Sequence, residues 1–255
     1  MIKLVSGWTR PGGGTIANIA LTNLLNENGV ECIFYGPDEW HLDKCKGGLL
    51  KDALFYEEDT VISHFIQVPA GLACKNHILY CHEKDLFPLN KVDYKKYNTI
   101  VFVSNEQKKW HGVTHPSVII PPIVETLKWK NPHNGVAGVV GSVDENKQTH
   151  MSVQRAITDG YAKIKLFGEG NDRLYFDESV RPLLGAQAEV ILEGHQDNRE
   201  AMYGQVEVVY HSSRSETFGL VEAECSLAGI PFNGPSNNPA IVDKKEIYRR
   251  WKKLF

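Results

Sequence analysis

Short apolar runs recur along the chain, alternating with turns and with segments of helical spacing. Ile2–Ser6 is the first. Ile16–Asn28 carries apolar residues at Ile16, Ile19, Ala20, Leu24 and Leu25, which lie on one face of a helix that Gly29 ends. Val30–Tyr35 is apolar again and is closed by Gly36-Pro37; Thr60–Ile66, Ile78–Cys81, Thr99–Val103 and Ser117–Ile120 follow. Runs this short, without polar alternation, predict strands buried on both faces, so the pattern points to a parallel sheet covered by helices.

Pro121-Pro122 to Asn134-Gly135 is rich in turn residues and reads as a linker. The rhythm then restarts, with strands at Gly135–Val140, Lys163–Phe167, Glu189–Leu192 and Glu207–Tyr210, and helices at Thr149–Ile157 and Phe218–Ala228. Gly229 and Pro231 stop the last helix. The expectation is a chain of two α/β halves, with the cleft between them as the ligand site.

Composition narrows the class. The 255 residues include 28 Lys+Arg and 31 Asp+Glu, a net charge of −3, and 42% are hydrophobic. Those are the proportions of a globular protein, neither disordered nor fibrous. No apolar run reaches the ~18 residues of a spanning helix, and the N-terminus lacks a signal-peptide profile. The five cysteines form no CxxC pair, which predicts reduced thiols and a cytoplasmic setting, a host cytoplasm if the genome is viral. Charge is uneven. Residues 136–240 carry a net −7, whereas 241–255 carry +4 through Lys244, Lys245, Arg249, Arg250, Lys252 and Lys253. Residues 75–115 add +3. If the basic stretches 75–115 and 244–253 share a side, an anionic acceptor such as nucleic acid, or peripheral contact with an anionic membrane, follows; a solvated charged helix is the plain alternative.

Two stretches carry candidate chemistry. Gly12-Gly13-Gly14-Thr15-Ile16-Ala17 satisfies G-x-G-x-x-A, with the acidic Asp38 further on. Alone that pattern reads as a dinucleotide site, but Trp8-Thr9-Arg10-Pro11 separates the glycines from the strand. The longer loop still offers backbone N–H groups to an anion or a sugar hydroxyl, or simply lets strand and helix pack closely. The second stretch is Ser213-Arg214-Ser215-Glu216-Thr217-Phe218-Gly219-Leu220-Val221-Glu222-Ala223-Glu224. A carboxylate accepts from two hydroxyls at once, which suits the diols of a sugar, and a helix N-terminus beside Gly219 suits a diphosphate. The alternative is that Glu216 merely favours the helix start and Glu224 faces solvent.

That stretch, with Ala228-Gly229-Ile230-Pro231, closely resembles the Glu-x7-Glu signature of glycosyltransferase family 4, retaining nucleotide-sugar enzymes of GT-B fold. The resemblance extends to the glycines at 12–14, to Ile78-Leu79-Tyr80-Cys81-His82-Glu83, to Val101–Asn105 and Ile119–Glu125, to the glycine loop Gly138–Lys147, and to Leu166-Phe167-Gly168-Glu169-Gly170. It departs at Ser142, where the family usually has arginine, and the chain is short for the family. The resemblance implies two Rossmann-like domains facing a central cleft: 1–127 on the acceptor side, 128–240 for the nucleotide sugar, and 241–255 as a basic closing helix returning to the first. His82, Glu216 and Lys147 would be catalytic. Gly13, Gly14, Ser142, Lys147, Thr217, Phe218, Gly219, Leu220 and Glu224 would bind the donor, with Glu224 on the ribose and Arg10 or Arg214 assisting Lys147 at the diphosphate. It implies no cofactor beyond the nucleotide-diphosphate sugar. No Asp-x-Asp occurs, and lysine with a helix terminus can replace a divalent ion, so no metal is expected. The competing readings are a nucleotide-sugar epimerase of the same fold, a non-catalytic nucleotide-sugar-binding module and an NAD oxidoreductase. His64, after an apolar run, reads as a hydrogen-bonded histidine at a strand end.

Overall fold

The computed structural model describes residues 1–9, 12–66, 74–84, 92–170, 172–185 and 187–255. The chain divides into two compact units, Met1–Ile123 with Ala240–Phe255, and Val124–Pro239.

Unit 1 opens with β1 (Ile2–Ser6), α1 (Gly13–Glu27), β2 (Cys32–Gly36), β3 (Gly47–Leu49), β4 (Thr60–His64) and β5 (Asn76–Cys81). It continues with β6 (Thr99–Phe102), α2 (Asn105–His111) and β7 (Ser117–Ile119). The strands form one seven-stranded sheet in the order β3-β2-β1-β4-β5-β6-β7, and every pairing is parallel. All five residues of β1 and of β4 are buried, the apolar ones and the polar Lys3, Ser6, Thr60, Ser63 and His64 alike. Lys3 lies inside β1, buried, and is neutralised by Asp59 while also donating to the Leu54 carbonyl.

Unit 2 contains β8 (Val136–Val140), α3 (Thr149–Thr158), β9 (Lys163–Phe167), α4 (Arg173–Tyr175) and β10 (Glu189–Leu192). After these come α5 (Arg199–Tyr203), β11 (Val208–Tyr210), α6 (Leu220–Ala228) and β12 (Phe232–Asn233). Its five-stranded parallel sheet has the order β10-β9-β8-β11-β12. One core on the α3 side gathers Val139, Val153, Ile164 and Leu166, and another on the α6 side gathers Val136, Tyr203, Val209 and Cys225. Both sheets thus have the Rossmann order, in which the first strand is central and the chain winds outwards on either side.

The closing helix α7 (Lys244–Lys252) packs on unit 1. Ile247 and Trp251, four residues apart on one face, are buried, and Trp251 meets Tyr80 edge-on at 5.0 Å. Lys244, Lys245, Arg249, Lys252 and Lys253 stay exposed on the other side. Among the described residues no helix is long and apolar enough to cross a membrane.

Three features differ from the sequence reading. β3 is a Gly-Gly-Leu edge and β12 has two residues, too short to show a period. β4 stops at His64 rather than Ile66, because Phe65 takes a left-handed φ of 52° that breaks the extended chain. The segment read as a linker is anchored at two points: Leu127 is buried in the α6-side core, and Trp129 Nε1 donates to the Tyr203 carbonyl at 3.1 Å.

Candidate functional site

In an open parallel sheet, ligand crevices form at the C-terminal ends of the strands where the winding direction reverses. In unit 1 that point lies between β1 and β4, and in unit 2 between β8 and β11. Each holds a cluster of polar side chains.

In unit 2 the loop after β8 turns back through Gly141, whose φ is 135°. The facing residue after β9 has to be glycine, since a Cβ at Gly168 would lie 1.8 Å from the Gly141 carbonyl oxygen. Asp144 shapes the rest of the loop, accepting from Ser142 Oγ at 2.6 Å and from the Lys147 backbone N–H at 2.8 Å. The loop after β11 is tied to it: Arg214 N–H donates to the Asn146 carbonyl at 2.8 Å, and Ser215 Oγ donates to Asn146 Oδ1 at 3.2 Å. These bonds bring Lys147 and Glu216 together across 69 residues of sequence, with Lys147 Nζ donating to Glu216 Oε1 at 2.5 Å.

His211, the first residue past β11, lies 2.9 Å from the same oxygen through Nε2. Burial raises the Glu216 pKa, but the His211 hydrogen bond and the Lys147 charge outweigh it and bring the carboxyl down to about 2. Glu216 is therefore an anion that retains acceptor capacity, beside an ammonium that is 25% exposed and has N–H groups to spare.

Gly219 precedes α6 as its N-cap, at φ 81°, and no side chain caps the helix. Glu222 bends inward, accepting from Asn237 N–H at 2.7 Å and Ser236 Oγ at 2.5 Å. Phe218 is buried, and Thr217 and Leu220 are half-buried. Glu224 belongs to a different network. It is 3% exposed, accepts from the Tyr203 hydroxyl at 2.8 Å and forms an ion pair with Arg199. Burial also lowers the Arg199 pKa.

In unit 1, Gly13 and Gly14 are the first residues of α1, and Arg10 lies outside the described residues. His82 and Glu83 follow β5 directly. His82 is 9% exposed, sits edge-on to Tyr80 at 4.0 Å and to His64 at 5.0 Å, and burial drives its pKa down to about 3. Its imidazole is neutral, and Nε2 has no hydrogen-bond partner among the described residues. His64, at the end of β4, has Nδ1 2.8 Å from Ser6 Oγ and 2.9 Å from Asn18 Nδ2, and Nε2 2.9 Å from Glu83 Oε1. It is indeed a hydrogen-bonded histidine at a strand end, but its outer partner is a partly exposed carboxylate.

Sequence reasoning singled out Lys147 and Glu216 but not His211, Asp144 or Arg199. Only the position of His211 beside the strand end signalled it. In the basic stretch, Lys84 lies over the exposed Trp110 ring at 4.9 Å, and residues 85–91 lie outside the described set. The five cysteines are free thiols.

Two parallel Rossmann-type sheets, each with polar side chains at its reversal point, give the chain the GT-B fold. It is similar to the Anabaena protein Alr3699/HepE, solved with UDP and glucose: TM-score 0.68, 12% identity, covering 91% of this chain and 80% of that one. It is also similar to WaaG, a glycosyltransferase of lipopolysaccharide biosynthesis, with TM-score 0.67, 11% identity and coverage of 100% and 90%. The third is AviGT4, a glycosyltransferase of avilamycin A biosynthesis, with TM-score 0.63, 17% identity and coverage of 99% and 92%. At these identities the likeness is one of fold. No protein-family model and no curated protein matches the sequence.

Proposed function

We propose that the chain is a retaining, metal-independent glycosyltransferase that moves a sugar from a nucleotide-diphosphate sugar to an acceptor hydroxyl. The observation that carries this reading is the Lys147–Glu216–His211 cluster at the reversal point of the second sheet. A diphosphate draws the Lys147 ammonium away from Glu216, and the freed carboxylate accepts hydroxyls of the transferred sugar while His211 still holds it. The uncapped N-terminus of α6 adds N–H groups for the departing phosphates. His82, neutral and with a free ring nitrogen, suits contact with the sugar near its anomeric carbon. Glu224 serves the ribose only if ribose hydroxyls replace Arg199 at its carboxylate.

In the front-face reaction the acceptor oxygen bonds to the anomeric carbon as the bond from that carbon to phosphate oxygen breaks. The acceptor proton passes to the departing phosphate. The side chains position the groups and stabilise charge, with Lys147 in the place that a divalent ion takes elsewhere. The exposed lysines of α7 are where an anionic acceptor, nucleic acid included, would be met.

The test is thermal-shift binding of UDP-, GDP-, ADP- and dTDP-glucose and NAD, with EDTA, on the wild type and Lys147→Ala. A ligand at a hundred times its Kd stabilises by about 2.7 kcal/mol, and a chain of this size shifts about 2–4 °C per kcal/mol. A shift with one nucleotide sugar that Lys147→Ala removes supports the reading. A shift with NAD alone overturns it. Release of nucleotide and altered sugar without an acceptor would assign an epimerase instead.

A further inference from the structure

The reversal point of unit 1 is built around one carboxylate. Glu83 is held from three directions. His64 Nε2 lies 2.9 Å from its Oε1, and its carbonyl accepts from Gln107 Nε2 at 2.9 Å and from His111 Nε2 at 3.3 Å. His64 is in turn 1% exposed and fixed at Nδ1 by Ser6 and Asn18, each wholly buried. Asn18 Nδ2 faces Nδ1 at 2.9 Å, so Nε2 is the ring nitrogen turned to Glu83. The chain makes room for the pair: a Cβ on Gly14 would lie 3.1 Å from His64 Nε2 and 3.2 Å from Glu83 Oε1.

Ser6, His64 and Glu83 have the order of a hydrolytic triad, but they cannot act as one. Ser6 is wholly buried and its Oγ lies 2.6 Å from the Trp8 carbonyl, so no substrate reaches it. The accessible end is the carboxylate, whose side chain is 31% exposed. Burial disfavours its charge, yet His64, by charge and hydrogen bond, holds its pKa below the usual carboxylate range. That depression makes Glu83 a weak base and a persistent acceptor. Beside it, His82 Nε2 and Asn18 Oδ1 are buried without hydrogen-bond partners among the described residues, an arrangement that is costly unless a ligand or water completes it.

We propose that Glu83 is a ligand-binding residue whose carboxylate anchors hydroxyl groups of a carbohydrate acceptor, with His64, Asn18 and Gly14 as its positioning shell. This rests on the transferase reading for the word acceptor; the hydroxyl-binding chemistry stands on the unit 1 geometry alone. Neutral hydroxyls can both donate to Glu83 and accept from an imidazole N–H, which fits a site with one fixed anion and two imidazoles.

The test is an NMR titration of the full chain, labelled at histidine, with the methyl glycosides of glucose, galactose, mannose and N-acetylglucosamine, with and without UDP. At least one glycoside is expected to move the His64 and His82 ring signals saturably. Glu83→Gln, which keeps a carbonyl for His64, is expected to weaken that binding at least tenfold and to change UDP affinity less than twofold. If Glu83→Gln does not fold, Glu83→Asp, which withdraws the carboxylate while keeping its charge, serves in its place with the same expected loss. Wild-type ring signals that ignore every glycoside, or variants that bind as the wild type does, overturn the proposal and leave Glu83 as a mere partner of His64. Failure of the transferase reading shows separately, as absence of UDP binding by the wild type in the same titration.

Discussion

The two reversal points share a topology and differ in the kind of charge they hold. In unit 2, Glu216 is paired with a lysine that is a quarter exposed, sits on a loop and has N–H groups left over. In unit 1, Glu83 is paired with a histidine locked in the core, and no lysine or arginine among the described residues forms an ion pair with it. A flexible ammonium can transfer from a carboxylate to an arriving anion, whereas a buried imidazole can only hold its carboxylate still. The fold therefore says where ligands meet each sheet, and the partner of each carboxylate separates the two proposals made above: a charged diphosphate in unit 2, neutral hydroxyls in unit 1.

The widest gap between the two should appear in turnover. Lys147→Ala removes the mobile cation, and with the preferred nucleotide sugar we expect nucleotide release to fall about 10²–10³-fold, the usual cost of losing one preorganised charge-stabilising group. Activity kept within twofold would mean that the unit 2 cluster is structural.

Backbone fit comes next. Gly168→Ala drives a Cβ onto the Gly141 carbonyl at 1.8 Å, while Gly7→Ala meets the Phe65 carbonyl at 2.4 Å. The first should cost about 3 kcal/mol and lower Tm by roughly 6–12 °C, and the second should cost less. Equal Tm losses would show that the loop of unit 2 is no more constrained than that of unit 1.

Acid separates the units by window. His82 has its pKa lowered to about 3 by burial, so between about 6.5 and 3 the unfolded chain binds a proton that the folded chain refuses. Its share of stability is present above pH 6.5 and is lost as pH falls towards 3. Glu216, lowered from 4.5 to about 2, loses its share only between those values. Unfolding measured against pH should therefore lose part of its upper slope in His82→Phe and part of its lower slope in Glu216→Gln. Unchanged profiles would place both groups in ordinary solvent. The smallest effect belongs to Ser142→Ala, which removes one hydrogen bond to Asp144 and should cost about 1 kcal/mol or less in denaturant unfolding.

Much of the fold was legible in the chain. The strands β1, β9 and β10 lie where their apolar runs predicted; β1 is buried throughout and β9 at Ile164, Leu166 and Phe167, which leaves little room for polar residues there, whereas β10 is an edge strand with Glu189 and Leu192 exposed. β3 and β12 were not legible, being three and two residues held by a neighbour's hydrogen bonds rather than by any pattern of their own. In the site, Lys147 and Glu216 were singled out from their motifs. His211 was passed over, as was the carboxylate partner of His64, because neither partnership leaves a periodic or spaced mark. His64 and Glu83 stand 19 residues apart, and their meeting depends on β4 and β5 lying side by side.

The sequence by itself determined two Rossmann-type halves, the glycines their loops need, and a pair of glutamates flanking a helix start. Tertiary structure decided what those glutamates are. Glu216 and Glu224 are the same residue in one motif, yet the first meets Lys147 and His211 at a half-open loop and the second is sealed against Arg199 and Tyr203. The reason is that a carboxylate's chemistry comes from desolvation and from donors within about 3 Å, and those are set by distance through space, which spacing along the chain does not carry.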